Sequence, residues 1–234
     1  VSSVQISGVS FDNLGEAGLA WLAEMAAGGG RAKVLTTLNP AGMDIENWQA
    51  LGISAEFAEA QLRVIDAFKQ MGVVTTCSCT PYLFGNLPKF GQHIAWAESS
   101  AVCYANSVLG ARTNREGGPS ALAAALTGFT PAYGYHLDEQ RKPTLTIDVK
   151  TRVCGTHCFG TLGKAIGDKV QEALGWKKKL HPSSGPDHLK IFGACTLVLH
   201  PDDPCRDLLH EPWATIAARP TTIRSAAAPL AALA

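Results

Sequence analysis

Along the early part of the chain, apolar positions recur with two different periods, and the switches between them outline a fold. "VQISGV" (4–9) reads as a short strand. "LGEAGLAWLAEMAAGG" (14–29) sets Leu14, Leu19, Leu22 and Met25 at helical spacing and closes on Gly28–Gly30. "AKVLTTL" (32–38) reads as a second strand. "SAEFAEAQLRVIDAFKQMG" (54–72) begins at Ser54, a good N-cap, and puts Phe57, Leu62, Ile65 and Phe68 on one stripe before stopping at Gly72. "VVTTC" (73–77) reads as a third strand.

Strand, helix, strand, helix, strand, with connections long enough for crossovers, predicts an α/β fold: a layered parallel or mixed sheet with helices on both faces. Ligands in such sheets bind beyond the carboxyl ends of the strands. Two of the expected ends are chemically rich. At and beyond the end of 32–38 stand Thr36, Thr37, Asn39 and Asp44 in "TTLNPAGMD"; at and beyond the end of 73–77 stand Cys77, Cys79 and Thr80 in "CSCTPYLFGNLPKFG". The next stretch, "AWAESSAVCYANSVLGARTNREGG" (95–118), mixes hydroxyls, amides and two arginines with alanine and valine. Glu98, Ser99 and Ser100 stand where a helix would begin, and "GGPSALAAALTG" repeats the device with Pro119 in its first turn. Taken singly, Ser99 and Ser120 are ordinary helix caps. Two such starts flanking Arg112 and Arg115 predict an anion pocket, with at least one arginine facing the ligand.

Composition narrows the partners. Hydrophobic residues make up 46% of the 234 and charged residues 17%, which describes a globular chain. Twenty basic residues balance twenty acidic ones, so no electrostatic case exists for nucleic acid or an anionic membrane surface. No apolar run approaches a membrane span. Seven cysteines without a paired framework fit a reducing compartment, so a cytoplasmic location is expected. Cys103, in "AVCYA", reads as core filler. The opening "VSSVQISGV" carries no targeting signal and reads as clipped at its start.

Five blocks, "QISGVSFDNLGEAG", "TTLNPAGMD", "CTPYLFGNLPKFGQHIAWAESSAV", "YANSVLGARTNREGGPSALAAALTG" and "YGYHLDEQRKPT", closely resemble the catalytic large domain of the aconitase X family. The resemblance runs from about Val4 to about Ala194. Within the family, "NREGGPS" and "TTLNPAG" are similar to the two-subunit type acting on mevalonate 5-phosphate, rather than the single-chain type acting on cis-3-hydroxy-L-proline.

The resemblance implies an aconitase-superfamily-like fold and a hydro-lyase that removes water from a small β-hydroxy acid with an iron–sulfur cluster as Lewis acid. Such chemistry needs a metal to draw off hydroxide, a base for the α-proton, and donors for the carboxylate. By motif match Cys79 is the implied cluster ligand, ahead of Cys77. Glu98, Ser99, Asn106, Arg112 and Arg115 are implied on the substrate side, with Thr36, Thr37 and Asn39 as a second wall. The 95–118 stretch is thus expected to be a substrate-binding wall rather than a cap or a core helix. His93 and His136 could serve as acid–base groups, but a lone histidine is more often structural, so neither is assigned a catalytic role. The catalytic base, a serine in the family, is expected from a separate small swivelling domain or subunit.

The match ends at Ala194. Residues 1–194 read as a partial catalytic domain and 195–234 as a divergent tail rich in Ala, Pro, Arg and Thr, without the blocks carrying the other cluster cysteines. The chain alone is therefore expected to be inactive. The rival reading is a remnant or anion-binding subunit without turnover. "CGTHCFGTLGKAIG" (154–167) suggests a zinc site or phosphate loop only weakly, lacking a second Cys/His pair and the phosphate-loop lysine.

Overall fold

The computed structural model describes residues 1–141 and the backbone of two strands, Leu145–Val149 and Cys195–Leu199. Two units are distinguished, one of Val1–Val102 with Ala111–Ala132, the other of Cys103–Gly110 with Tyr133–Ala234.

In the first unit, β1 (Ser3–Ile6) lies between β2 (Leu35–Leu38) and β3 (Ala95–Trp96), and all pairings are parallel. Parallel neighbours require crossovers, and helices α1 (Phe11–Ala27) and α2 (Ala55–Gln70) lie in the long connections. The register sets Val4 beside Thr36 and Ala95, and Gln5 beside Thr37 and Trp96. Because side chains alternate, one face carries Val4, Ile6, Leu38 and Ala95 while the other carries Ser3, Gln5, Thr37 and Trp96.

The apolar face forms a single core with Leu19, Leu22 and Ala26 of α1, Val64 and Phe68 of α2, and Leu122 of α4 (Gly118–Thr127). Burying a leucine or phenylalanine there is worth about 1.5–3 kcal/mol each. The other face is polar yet equally buried: Ser3 accepts from Trp96 Nε1 at 3.1 Å, and Asn86 donates to Thr37 Oγ1 at 3.0 Å and to the Val4 carbonyl at 3.1 Å. Asn86 follows a 3-10 helix, Pro81–Phe84.

Both long helices form where the periodicity predicts, with informative differences. α1 begins at Phe11 and kinks at Gly15, whose φ of 59° interrupts the helix and separates Leu14 from Leu19, Leu22 and Met25 of the expected stripe. Ser54 caps α2 as expected, accepting from Phe57 N–H at 3.2 Å. The buried stripe of α2 is rotated from the expected one. Leu62 is 40% exposed, while Gln61 is fully buried with Val64 and Phe68. A polar residue in the stripe hid its true centre.

The strand expected at 73–77 does not form. Only Val74 bridges to Thr37; Thr76 N–H then turns back to the Val74 carbonyl at 2.9 Å and Cys77 adopts φ 46°. A tight turn and a left-handed residue end the extended run at once.

In the second unit, a π-helix at Ala105–Leu109 continues from α3 (Ser99–Tyr104), in which the unit boundary falls, and ends at Gly110 with φ 66°. Arg141 clamps this turn, donating to Asn106 Oδ1 at 2.8 Å, to the Asn106 carbonyl at 3.3 Å and to the Tyr135 carbonyl at 3.2 Å. Further on, β4 (Leu145–Val149) pairs in parallel with β5 (Cys195–Leu199). The expected tail therefore opens on a paired strand. The 154–167 motif and residues 200–234 lie outside the described residues, and no described helix is long and apolar enough to cross a membrane.

Candidate functional site

The carboxyl ends of the sheet strands converge on one buried side chain. Gln5, in the middle of β1, is fully buried. Its Nε2 donates to Asn39 Oδ1 at 3.3 Å and to the Ser78 carbonyl at 3.4 Å, and its Oε1 accepts from Glu98 N–H at 3.0 Å. The loop after β2, the Cys77–Thr80 loop and the start of α3 are thereby drawn to the same edge. Backbone bonds reinforce it: Asn39 N–H reaches the Ile6 carbonyl at 2.9 Å, and Ser78 N–H the Leu38 carbonyl at 3.0 Å.

Within this edge the expected residues separate. Thr37 lies on the polar face, held by Asn86, and Asn39 borders it. Thr36 points to the opposite, apolar side and bonds to the Val34 carbonyl at 2.9 Å, so it is not brought to the cradle formed by Gln5 and the segments bonded to it. Asp44 is exposed and committed to its own turn, accepting from Glu46 and Asn47 N–H at 2.9 Å each. Those backbone bonds, Asn47's first, hold its carboxyl below the usual value.

Glu98 corrects the picture of its stretch. Its carboxylate accepts from Ser99 and Ser100 hydroxyls at 3.1 and 2.6 Å and from Ala101 N–H at 2.7 Å, and its carbonyl accepts from Val102 N–H. Glu98 is the N-cap of α3, so the expectation that this stretch does not act as a cap fails here. The carboxylate takes up the orphan N–H that an incoming anion would use. Ser120 is likewise engaged, accepting from Gly117 N–H at 2.9 Å and reaching the buried Glu116 carboxylate at 2.7 Å. Asn106 falls in the second unit, with its Oδ1 on Arg141.

The two arginines lie on a segment running parallel to β3, with Arg112 bridged to His93 and Arg115 to Trp96. Three positions apart in one register, they project to opposite faces. Arg115 takes the side of Trp96 and Gln5 at the carboxyl end of β3. Its half-buried guanidinium makes no hydrogen bond or ion pair among the described residues. His93 is exposed and His136 buried.

The model of the family described as "Aconitase X first domain" matches residues 1–139. The chain belongs to the aconitase X family.

Among its relatives, the phosphomevalonate dehydratase large subunit of Methanothermobacter thermautotrophicus is 53% identical over 195 residues, covering 83% of this chain and 48% of that one. The cis-3-hydroxy-L-proline dehydratase of Pseudomonas aeruginosa is 35% identical over 195 residues, covering 77% of this chain and 31% of that one. Among solved structures, the holo-form of Thermococcus kodakaraensis aconitase X matches with a TM-score of 0.66 and 42% identity, over 87% of this chain and 52% of that chain. The chain spans about half the length of the large-subunit relatives it matches.

An iron–sulfur ligand should be a free thiol open to the site. Cys79 is free and exposed beside the cradle. Cys77 is half-buried, and burial pushes its thiol up in pKa, with the Ala41 N–H partly opposing. Among the described residues no three His, Cys, Asp or Glu side chains are grouped to hold a metal ion. Cys79 fits as one thiolate of a cluster, and the described residues supply no complete set.

Three residues outside the expected site organise it: Gln5, Asn86 and Gln61. Fully buried Gln61 accepts from Phe11 N–H at 2.9 Å and Gly42 N–H at 3.2 Å, and donates to the Val9 carbonyl at 2.9 Å, pinning the loops after β1 and β2 to α2. A polar residue inside an apolar period is the signal that could have found Gln5 and Gln61; Asn86, in a loop after the 3-10 helix, carries no such signal.

Proposed function

We propose that the chain is the catalytic part of a dehydratase that removes water from a small β-hydroxy acid, mevalonate 5-phosphate in preference to cis-3-hydroxy-L-proline. The observation that carries this reading is the greater likeness to relatives named phosphomevalonate dehydratase large subunit than to those named for hydroxyproline. The partner is a small subunit, which brings the base. The cofactor is an iron–sulfur cluster with Cys79 as one ligand; when bound, it supplies a Lewis acid for the departing hydroxide. A cytoplasmic setting belongs to the same reading, supported by the absence of a disulfide among the described cysteines.

Arg115 holds the substrate anion. A guanidinium without a partner among the described residues, at the carboxyl edge, can engage a carboxylate or phosphate bidentately, and partial burial strengthens the contact. Asn39 lines the cradle as a neutral donor, buried Thr37 supports it from behind with its hydroxyl bonded to the Val4 carbonyl and to Asn86, and Ser99 approaches it through Glu98.

The test is anaerobic iron–sulfur reconstitution of the chain with a small subunit, followed by dehydration assays on both acids. Turnover of mevalonate 5-phosphate is expected. Arg115→Ala is expected to lower kcat/KM by about 2–4 kcal/mol equivalent. A cluster-loaded complex inert toward both acids would overturn the dehydratase reading; full activity in Arg115→Ala would remove the arginine from it.

A further inference from the structure

The amide of Gln5 bonds to residues 34, 73 and 93 positions away in sequence. A central strand buried on both faces is ordinarily apolar, since an unpaired buried amide is costly. Here one side chain uses both amide hydrogens and an oxygen lone pair, each on a different segment of the carboxyl edge. Trp96 and Thr37 flank Gln5 in register and are tied in turn to Ser3 and Asn86. Its partners are the segments bearing Asn39, Cys79 and Glu98. Gln61, also fully buried, pins the loops after β1 and β2 from the helix side, and its hydrogen bonds go to Phe11, Gly42 and Val9 rather than to Ser78 or Glu98.

We propose that Gln5 is a positioning residue that holds the Asn39, Cys79 and Glu98 segments in one arrangement at the carboxyl edge. Its importance to turnover rests on the dehydratase reading; its effect on the loops does not. A side chain packed on all sides orients these segments beforehand, as the support around a site must if the groups are to act without rearranging.

The test is amide hydrogen exchange on the full 234-residue chain, comparing Gln5→Met with Gln61→Met. Gln5→Met is expected to speed exchange about fivefold in both 76–80 and 97–101, as the loss of one or two buried hydrogen bonds allows. Gln61→Met is expected to loosen 9–12 and 41–43 while leaving 76–80 and 97–101 protected. Should Gln5→Met not fold, Gln5→Glu retains an oxygen for Glu98 N–H and sets the other against Asn39 Oδ1 and the Ser78 carbonyl. It is expected to loosen 76–80 alone. Unchanged exchange at 76–80 in the folded Gln5 variant, or equal loosening there by Gln61→Met, would overturn the proposal. In the reconstituted complex, Gln5→Met is expected to lower kcat about tenfold with KM within about twofold, because Arg115 still binds the acid. A KM effect without a kcat effect counts against positioning. An unaltered complex that turns over nothing would sink only the dehydratase reading, and exchange would still decide this one.

Discussion

Glu98 shows how one carboxylate can serve the start of a helix. Its bonds to Ser99, Ser100 and Ala101 satisfy the start of a six-residue helix too short to persist without a cap. Glu98→Ala is expected to lower stability by about 1–2 kcal/mol in urea denaturation, the range of a lost cap. Cys77 offers a pH-dependent test at the same scale. Burial raises its thiol pKa in the folded state, so the fold prefers the protonated form. The stabilisation this represents is fully present below the thiol pKa of the unfolded chain and disappears as pH rises through the folded value. Stability should therefore decline above about pH 8.5, and Cys77→Ala should flatten that decline. An identical alkaline slope in the variant would show that Cys77 does not contribute.

The start of α4 is set by two neighbouring glycines with different roles. A Cβ on Gly118 would lie 2.7 Å from the Ser7 carbonyl, because the helix end packs directly on the end of β1. On Gly117 the nearest atom would be 3.7 Å away, and its φ of −78° suits any residue. Gly118→Ala is expected to cost about 1–3 kcal/mol by overpacking, while Gly117→Ala stays within about 0.5 kcal/mol. Thermal unfolding of the pair would separate close approach from loop flexibility; equal losses would refute it. On α2, Ser54→Ala removes the acceptor for Phe57 N–H and is expected to cost about 1 kcal/mol by the same measurement.

The first unit is held together by a core on one side of the sheet and polar clamps around it. Gln61 satisfies two N–H groups and a carbonyl in two loops, so removing its amide leaves all three without their partner. Gln61→Leu is expected to cost about 2–3 kcal/mol in chemical denaturation, more than a surface cap, because it leaves three groups at once, the buried Val9 carbonyl among them. A cost no greater than that of Ser54→Ala would mean that water replaces the glutamine at no penalty.

Local pattern alone determined α1 beyond its kink, the Ser54 cap and length of α2, and the strands around Val4 and Thr37. Each follows from periodicity or capping chemistry within a few residues. The five sequence blocks likewise carried the family. Tertiary structure decided that Thr37 lies on the polar face and Thr36 on the other, that Arg112 and Arg115 part company, and that the run at 73–77 turns away after Val74. It also decided that Glu98 caps a helix, and that Gln5 and Gln61 occupy the interior. Hydropathy reports whether a segment prefers water, over a window of one or two turns. It cannot report which distant loop will satisfy a buried amide, because that depends on sheet register and on the segments meeting at the end of a strand.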